Sequence, residues 1–166
     1  MNQPQTFKEI SIGGLAKEPL LQRLVDAGIQ FNKYAHILFE HRLFSPDHPT
    51  ERVKLVKVKL SHLNLSSPCS FQEILNRASS MRLRACPLYL SAFLRLEYLD
   101  QPEGPYLTLA SAQPEKDDNY PTGFYIRNFE NSLWLRGYRA IGEAEWPQDN
   151  EFIFLDGPRL EEAANI

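Results

Sequence analysis

The chain has 166 residues, of which 43% are hydrophobic and 23% are charged, and its formal net charge is −3. These proportions are typical of globular proteins, so we expect a folded chain rather than a disordered or fibrous one. No apolar run reaches the roughly 18 residues of a membrane span, and the polar start at 1–6 does not resemble a signal peptide. We therefore expect a cytoplasmic protein that does not bind membranes. The negative net charge disfavours a general nucleic-acid binder.

The spacing of cysteine and histidine residues offers no metal or redox motif. Cys69 and Cys86 are too few for a disulfide framework and do not form a C-x-x-C pair. The histidines are His36, His41, His48 and His62. None of them belongs to an H-E-x-x-H motif. We therefore expect no metal site and no cofactor.

Two helices are predicted in the first quarter of the chain. Pro19 suits a first helical turn, apolar residues follow at helical spacing, and Gly28 can end the helix, which predicts a helix over 19–27. Asn32 is a favourable N-cap for a second helix over 32–42. Since the connection is short, we expect the two helices to pack as a helical hairpin.

A strand and a third helix are predicted next. Alternating apolar and polar residues over 56–61 indicate a strand whose lysines suit an exposed sheet edge. Ser70 and Glu73 form a capping box ahead of apolar residues at helical spacing. This pattern predicts a helix over 71–81.

From residue 92 onward the apolar residues recur every second position, which is typical of strands. The predicted strands are 92–99, 106–111, 124–129, 133–138 and 152–155. The Pro- and Gly-rich segment 100–105 predicts a hairpin loop between the first two strands, and 130–132 predicts one between the third and fourth.

The fold prediction is of the α+β class. An N-terminal helical hairpin and a further helix are expected to pack on a mainly antiparallel C-terminal sheet of about five strands. We expect one domain over 1–166, with a mainly helical part at 1–85 that contains one strand. The antiparallel sheet is expected at 86–156 and a tail at 157–166.

One face of the predicted sheet is rich in aromatic rings and guanidinium groups. If the strands bury their aliphatic side chains together, the other face presents the candidate binding residues Arg95, Glu97, Tyr125, Arg127, Trp134, Arg136 and Tyr138. Aromatic rings offer stacking surface and arginine offers planar donors, a combination found in protein hot spots and in single-strand nucleic-acid platforms. Alternatively, these residues only stabilise the sheet through cross-strand pairs, or the helices cover them.

A spatially assembled enzyme site is a further alternative. Glu97, Asp100 and Glu103 lie close together around the first predicted hairpin, and Arg95 is near them in sequence. No nucleophile motif such as G-x-S-x-G is present. We therefore expect a non-enzymatic binding or accessory protein whose partner is another protein. Single-stranded nucleic-acid binding and an enzyme near the first hairpin remain the alternatives.

Three segments carry a resemblance to known sequences. They are 86–104, which ends in R-L-E-Y-L-D-Q-P-E-G, then L-W-L-R-G-Y at 133–138, and W-P at 146–147 ahead of F-I-F at 152–154. In these segments the chain resembles a group of small bacterial proteins of unassigned function. The resemblance implies a bacterial, stand-alone protein, and it implies no activity, cofactor or catalytic residue.

Overall fold

The computed structural model describes residues 4–147 and 149–157 and is of the α+β class. The helices are α1 (Lys17–Asp26), α2 (Lys33–Phe39), α3 (Phe71–Ser80) and α4 (Leu90–Glu97), with a short 3-10 helix, η1, at Leu60–Leu63. The strands are β1 (Gln5–Ile12), β2 (Gln30–Phe31), β3 (Glu51–Val58), β4 (Cys69–Ser70), β5 (Leu83–Arg84), β6 (Leu107–Leu109), β7 (Gly123–Phe129), β8 (Ser132–Tyr138), β9 (Glu143–Ala144) and β10 (Glu151–Asp156). The predicted tail lies outside the described residues beyond Gly157.

The main sheet is mixed and has eight strands, in the order β1-β3-β10-β6-β7-β8-β2 with β5 paired to β10 beside this path. Two neighbouring pairs, β10–β6 and β2–β8, are parallel, and the other pairs are antiparallel. The predicted sheet of about five strands in the C-terminal part is therefore wrong in its number of strands and in its location, since β1, β2, β3 and β5 also belong to the sheet; most strand pairs are antiparallel, as predicted. Sequence reasoning missed β1 because it begins in a polar stretch, and β2 and β5 are too short to show an alternating pattern.

The predicted lysine edge is also wrong, because β3 lies inside the sheet between β1 and β10. Lys57 Nζ lies 4.8 Å from the ring centroid of Phe7 on β1 and 3.8 Å from Glu151 Oε1 on β10. The lysine is therefore accommodated within the sheet by an aromatic ring and a carboxylate on the two neighbouring strands.

The first two helices do not form the predicted hairpin. β2 separates them and pairs with β8, while α1 packs against α4 and α2 packs on β8. Asn32 is the N-cap of α2 as predicted, since its Oδ1 accepts from Ala35 N at 2.9 Å. The same side chain bonds to Gly137 N and Gly137 O on β8, both at 2.9 Å. A side chain at Gly137 is excluded, because a Cβ there would lie 2.7 Å from Tyr34 Cβ.

The segment predicted as the first strand of the sheet, 92–99, is mostly helix α4. A run of leucines two residues apart fits a strand, but Leu90 and Leu94, four residues apart, are also fully buried on one helix face. The prediction of a hairpin loop at 100–105 is therefore wrong. This segment connects α4 to β6. The second predicted hairpin is confirmed, with Glu130 and Asn131 both at positive φ, as a two-residue type I′ turn requires.

Each face of the main sheet carries its own buried cluster. On one face, α1, α2 and α4 bury leucines against Phe124, Ile126 and Leu135 of β7 and β8. On the other face, α3 and the β4–β9 pair cover β3 and β10, with Phe71 packed in the same cluster as Phe152. The capping box of α3 is confirmed. Among the described residues, the layer formed by α3 and the β4–β9 pair reaches only the Tyr138 end of β8, and beyond that end the residues on this face of β7 and β8 are at least partly exposed.

Candidate binding face

Five of the seven predicted binding residues share one face of the β7–β8 hairpin. They are Tyr125, Arg127, Trp134, Arg136 and Tyr138. Tyr125 lies directly across from Arg136 and Arg127 directly across from Trp134. Since paired residues on neighbouring strands point to the same side, these side chains form one surface. We call this surface, together with Tyr106 and Phe129, the hairpin face.

The two guanidinium groups of the hairpin face each lie over two aromatic rings. Arg127 Cζ is 4.5 Å from the ring centroid of Tyr106 and 4.7 Å from that of Phe129. Arg136 Cζ is 5.0 Å from the ring centroid of Trp134 and 5.8 Å from that of Tyr125. These distances are within the range of cation–π attraction. The outer layer of the face is therefore made of guanidinium groups that rest on rings.

Polar atoms of the hairpin face are left without partners. Arg127 Nε donates to Gly104 O at 3.3 Å, and within the described residues neither Arg127 nor Arg136 forms an ion pair. Arg136 Nε and Trp134 Nε1 are shielded from solvent and have no hydrogen-bond partner there. An unsatisfied buried donor costs about 1–3 kcal/mol. The folded hairpin face therefore carries this cost at Arg136 and at Trp134.

The Tyr138 hydroxyl marks the closed end of the hairpin face. Burial raises the pKa of this hydroxyl. Its ring packs edge-on to Phe71 and Trp146, with centroid distances of 6.1 and 6.3 Å. Tyr138 is therefore mainly a packing residue that joins the hairpin face to the second buried cluster.

A groove of about 400 Å³ extends the opposite, open end of the face. Tyr106, Arg127 and Phe129 form one side of it, and the exposed acids Glu130 and Asp149 contribute to its rim. A further rim acid, Glu103, accepts a hydrogen bond from Asn131 N at 2.9 Å. The hairpin face thus presents positive charge in its middle and negative charge at one end. Sequence reasoning did not anticipate this rim, because its acids come from three separate loops.

Arg95 and Glu97 do not belong to the hairpin face, and this part of the prediction is wrong. Both lie on α4, which packs on the opposite face of the sheet, and Glu97 is exposed there. Arg95 is fully buried, and its guanidinium donates to Gln101 Oε1 at 2.7 Å, to Tyr98 O at 2.5 Å and to Trp134 O at 3.2 Å. Burial lowers its pKa to about 10, so it remains charged at neutral pH.

The acid–base groups near the first predicted hairpin do not converge on Arg95. Glu97 and Asp100 are exposed, Glu103 is held by Asn131, and the Arg95 guanidinium is occupied by carbonyl oxygens. Among the described residues, no group of three or more His, Cys, Asp or Glu side chains is arranged to hold a metal ion.

Comparison with protein-family models, with curated proteins and with solved structures gives no match for this chain. Within residues 4–147 and 149–157, no helix combines the length and the apolar composition that crossing a bilayer requires. The geometry of the hairpin face is therefore the observation that bears on function.

Proposed function

We propose that this protein is a non-enzymatic binding protein whose hairpin face recognises an acidic segment of a partner protein. The supporting observation is the pair of guanidinium groups, Arg127 and Arg136, that rest on rings and have no carboxylate partner in the described part of the chain. Arginine binds carboxylates through two parallel hydrogen bonds. The rings restrict the orientation of each guanidinium, so less entropy is lost when a partner binds.

Single-stranded nucleic acid is the second candidate, because arginine and aromatic residues alternate across the hairpin face. Two observations favour a protein over it. The guanidinium groups cover the rings on which bases would stack. The rim acids Glu103, Glu130 and Asp149 repel phosphates. A peptide can place acidic residues over the arginines and a basic residue at the rim, whereas a nucleic-acid strand carries negative charge at every nucleotide.

The test is affinity capture from a lysate of the source organism, with bound protein and bound nucleic acid both identified. We compare the wild type with the double variant Trp134→Ala/Arg136→Ala. The matched control is Arg23→Ala/Val25→Ala, which removes an exposed arginine and an exposed apolar side chain on α1. We expect the wild type and the control to capture the same protein and the hairpin-face variant to lose it.

The captured protein is then titrated against each variant. The double variant should bind at least about tenfold more weakly, since each hydrogen bond to a charged group contributes about 1.5–3 kcal/mol. Unchanged affinity of a folded double variant would contradict the proposal. Capture that nuclease treatment abolishes would favour the nucleic-acid alternative instead.

A further inference from the structure

A second cavity, separate from the hairpin face, has a volume of about 640 Å³. Its walls come from the loop between α2 and β3, the segment that enters α4, and the segment that follows β6, and they include Leu43, Pro49, Pro87 and Leu88. The volume falls within the roughly 300–1,000 Å³ of small-molecule sites, and mainly apolar walls are typical of them. We call this cavity the Tyr89 cleft.

The loop that forms one wall of the Tyr89 cleft is held in place by the turn ahead of α1. Gly14 N donates to His48 O, and a Cβ at Gly13 would lie 2.7 Å from the same oxygen. Both glycines have positive φ, a backbone conformation that glycine adopts without steric cost. The wall is therefore supported by β1 and does not depend on a ligand for its position.

An aromatic pair lies in the wall of the cleft. Tyr89 is only 7% exposed, and the His48 ring stacks on it with a centroid distance of 5.7 Å and an interplanar angle of 19°. Aromatic rings attract organic cations electrostatically, most strongly where water is excluded.

With histidine counted as neutral, the wall residues of the cleft carry one formal negative charge. Glu51 contributes a carboxylate to the wall, and the wall residues in the described part of the chain include no lysine or arginine. Burial, and after it the carboxylates of Glu51 and Asp47, raise the pKa of the Tyr89 hydroxyl. The direction of the two carboxylate effects indicates that their field reaches Tyr89. At Cys86, another wall residue, burial raises the pKa of the thiol and Arg84 opposes that rise.

Ser111 lies at the edge of the cleft, but its hydroxyl is not a contact for a ligand there. The residue is 3% exposed, and its Oγ is enclosed next to Gly123, where an added Cβ would lie 3.1 Å from it.

We propose that the Tyr89 cleft binds a small organic ammonium ion, with Glu51 as the counter-charge and Tyr89 as the aromatic surface. The apolar walls receive the hydrocarbon part of the ligand. The site is independent of the hairpin face, since the two surfaces share no lining residue.

The test uses three probes of similar shape and different charge: benzylamine, benzyl alcohol and benzoate. Each is titrated into the full chain while the backbone amide signals are followed by NMR. We expect benzylamine to shift the amides of Glu51, Tyr89 and Ser111 in a saturable manner. Benzyl alcohol should bind at least about tenfold more weakly because it lacks the charge.

Variants at position 51 separate charge from shape. Glu51→Gln should weaken benzylamine binding about tenfold and leave benzyl alcohol unchanged, and Glu51→Lys should abolish benzylamine binding. Glu51 is exposed at the start of β3, so neither change disturbs the core. Glu9→Gln, at an exposed position on β1, is the matched control and should leave all three titrations unchanged.

Three results overturn the proposal. They are benzoate or benzyl alcohol binding as tightly as benzylamine, an undiminished benzylamine affinity in Glu51→Gln, and the absence of saturable shifts at the cleft amides.

Discussion

The two faces of the β7–β8 hairpin use arginine in opposite ways. On the helix-covered face, Arg95 is fully buried and donates to carbonyl oxygens of its own chain. On the hairpin face, Arg127 and Arg136 rest on rings and have no ion pair within the described residues. The difference lies in the source of the acceptors. An arginine whose guanidinium is occupied by acceptors of its own fold is structural, whereas one that rests on rings and forms no ion pair keeps donors for another molecule.

The largest expected effect comes from removing the buried arginine. Arg95→Met should lower the free energy of unfolding by about 3–5 kcal/mol, because Tyr98 O, Trp134 O and Gln101 Oε1 lose a donor while they remain buried. Urea denaturation followed by circular dichroism measures this change. A decrease in the free energy of unfolding below about 1 kcal/mol would mean that these acceptors find other partners. Arg95 would then differ less from the arginines of the hairpin face.

On the helix-covered face, the packing of α2 on β8 also depends on Asn32, whose side chain bonds to both elements. Asn32→Ala should cost about 2 kcal/mol, because the variant loses the N-cap bond to Ala35 and both bonds to Gly137. Asn119→Ala, in an exposed loop, is the matched control and should change stability by less than about 0.5 kcal/mol. Equal effects in the two variants would show that α2 is held by apolar packing alone.

Sequence reasoning identified the elements whose signal is local. The caps at Asn32 and Ser70, the two-residue turn at 130–131 and the strands β7 and β8 were all predicted, because each depends on neighbouring residues. The ring and arginine residues at 125–138 were placed on one face for the same reason, since alternation along a strand is a local property.

The remaining features depend on contacts between distant segments. In the stretch around Arg95, leucines fit a strand and a helix equally well, and packing of α4 against α1 and the sheet decides between them. The burial of Arg95 and its bond to Trp134 O join residues 39 positions apart. No spacing rule identifies such a pair, which explains why a structural arginine was predicted to be part of a binding face.

The smallest expected effect on stability is also the most direct test of the difference between Arg95 and the arginines of the hairpin face. Arg136→Met removes two cation–π contacts of about 0.5–1 kcal/mol each, but it also removes a shielded Nε that has no partner, so the net change should stay below about 1 kcal/mol. The substitution is the same as in Arg95→Met, and the same urea denaturation measures it. Because the guanidinium then contributes little to folding, its loss should weaken binding of the captured partner without unfolding the protein. A destabilisation as large as that of Arg95→Met would instead show that both arginines are structural. That result would contradict the proposal that the hairpin face is a binding surface.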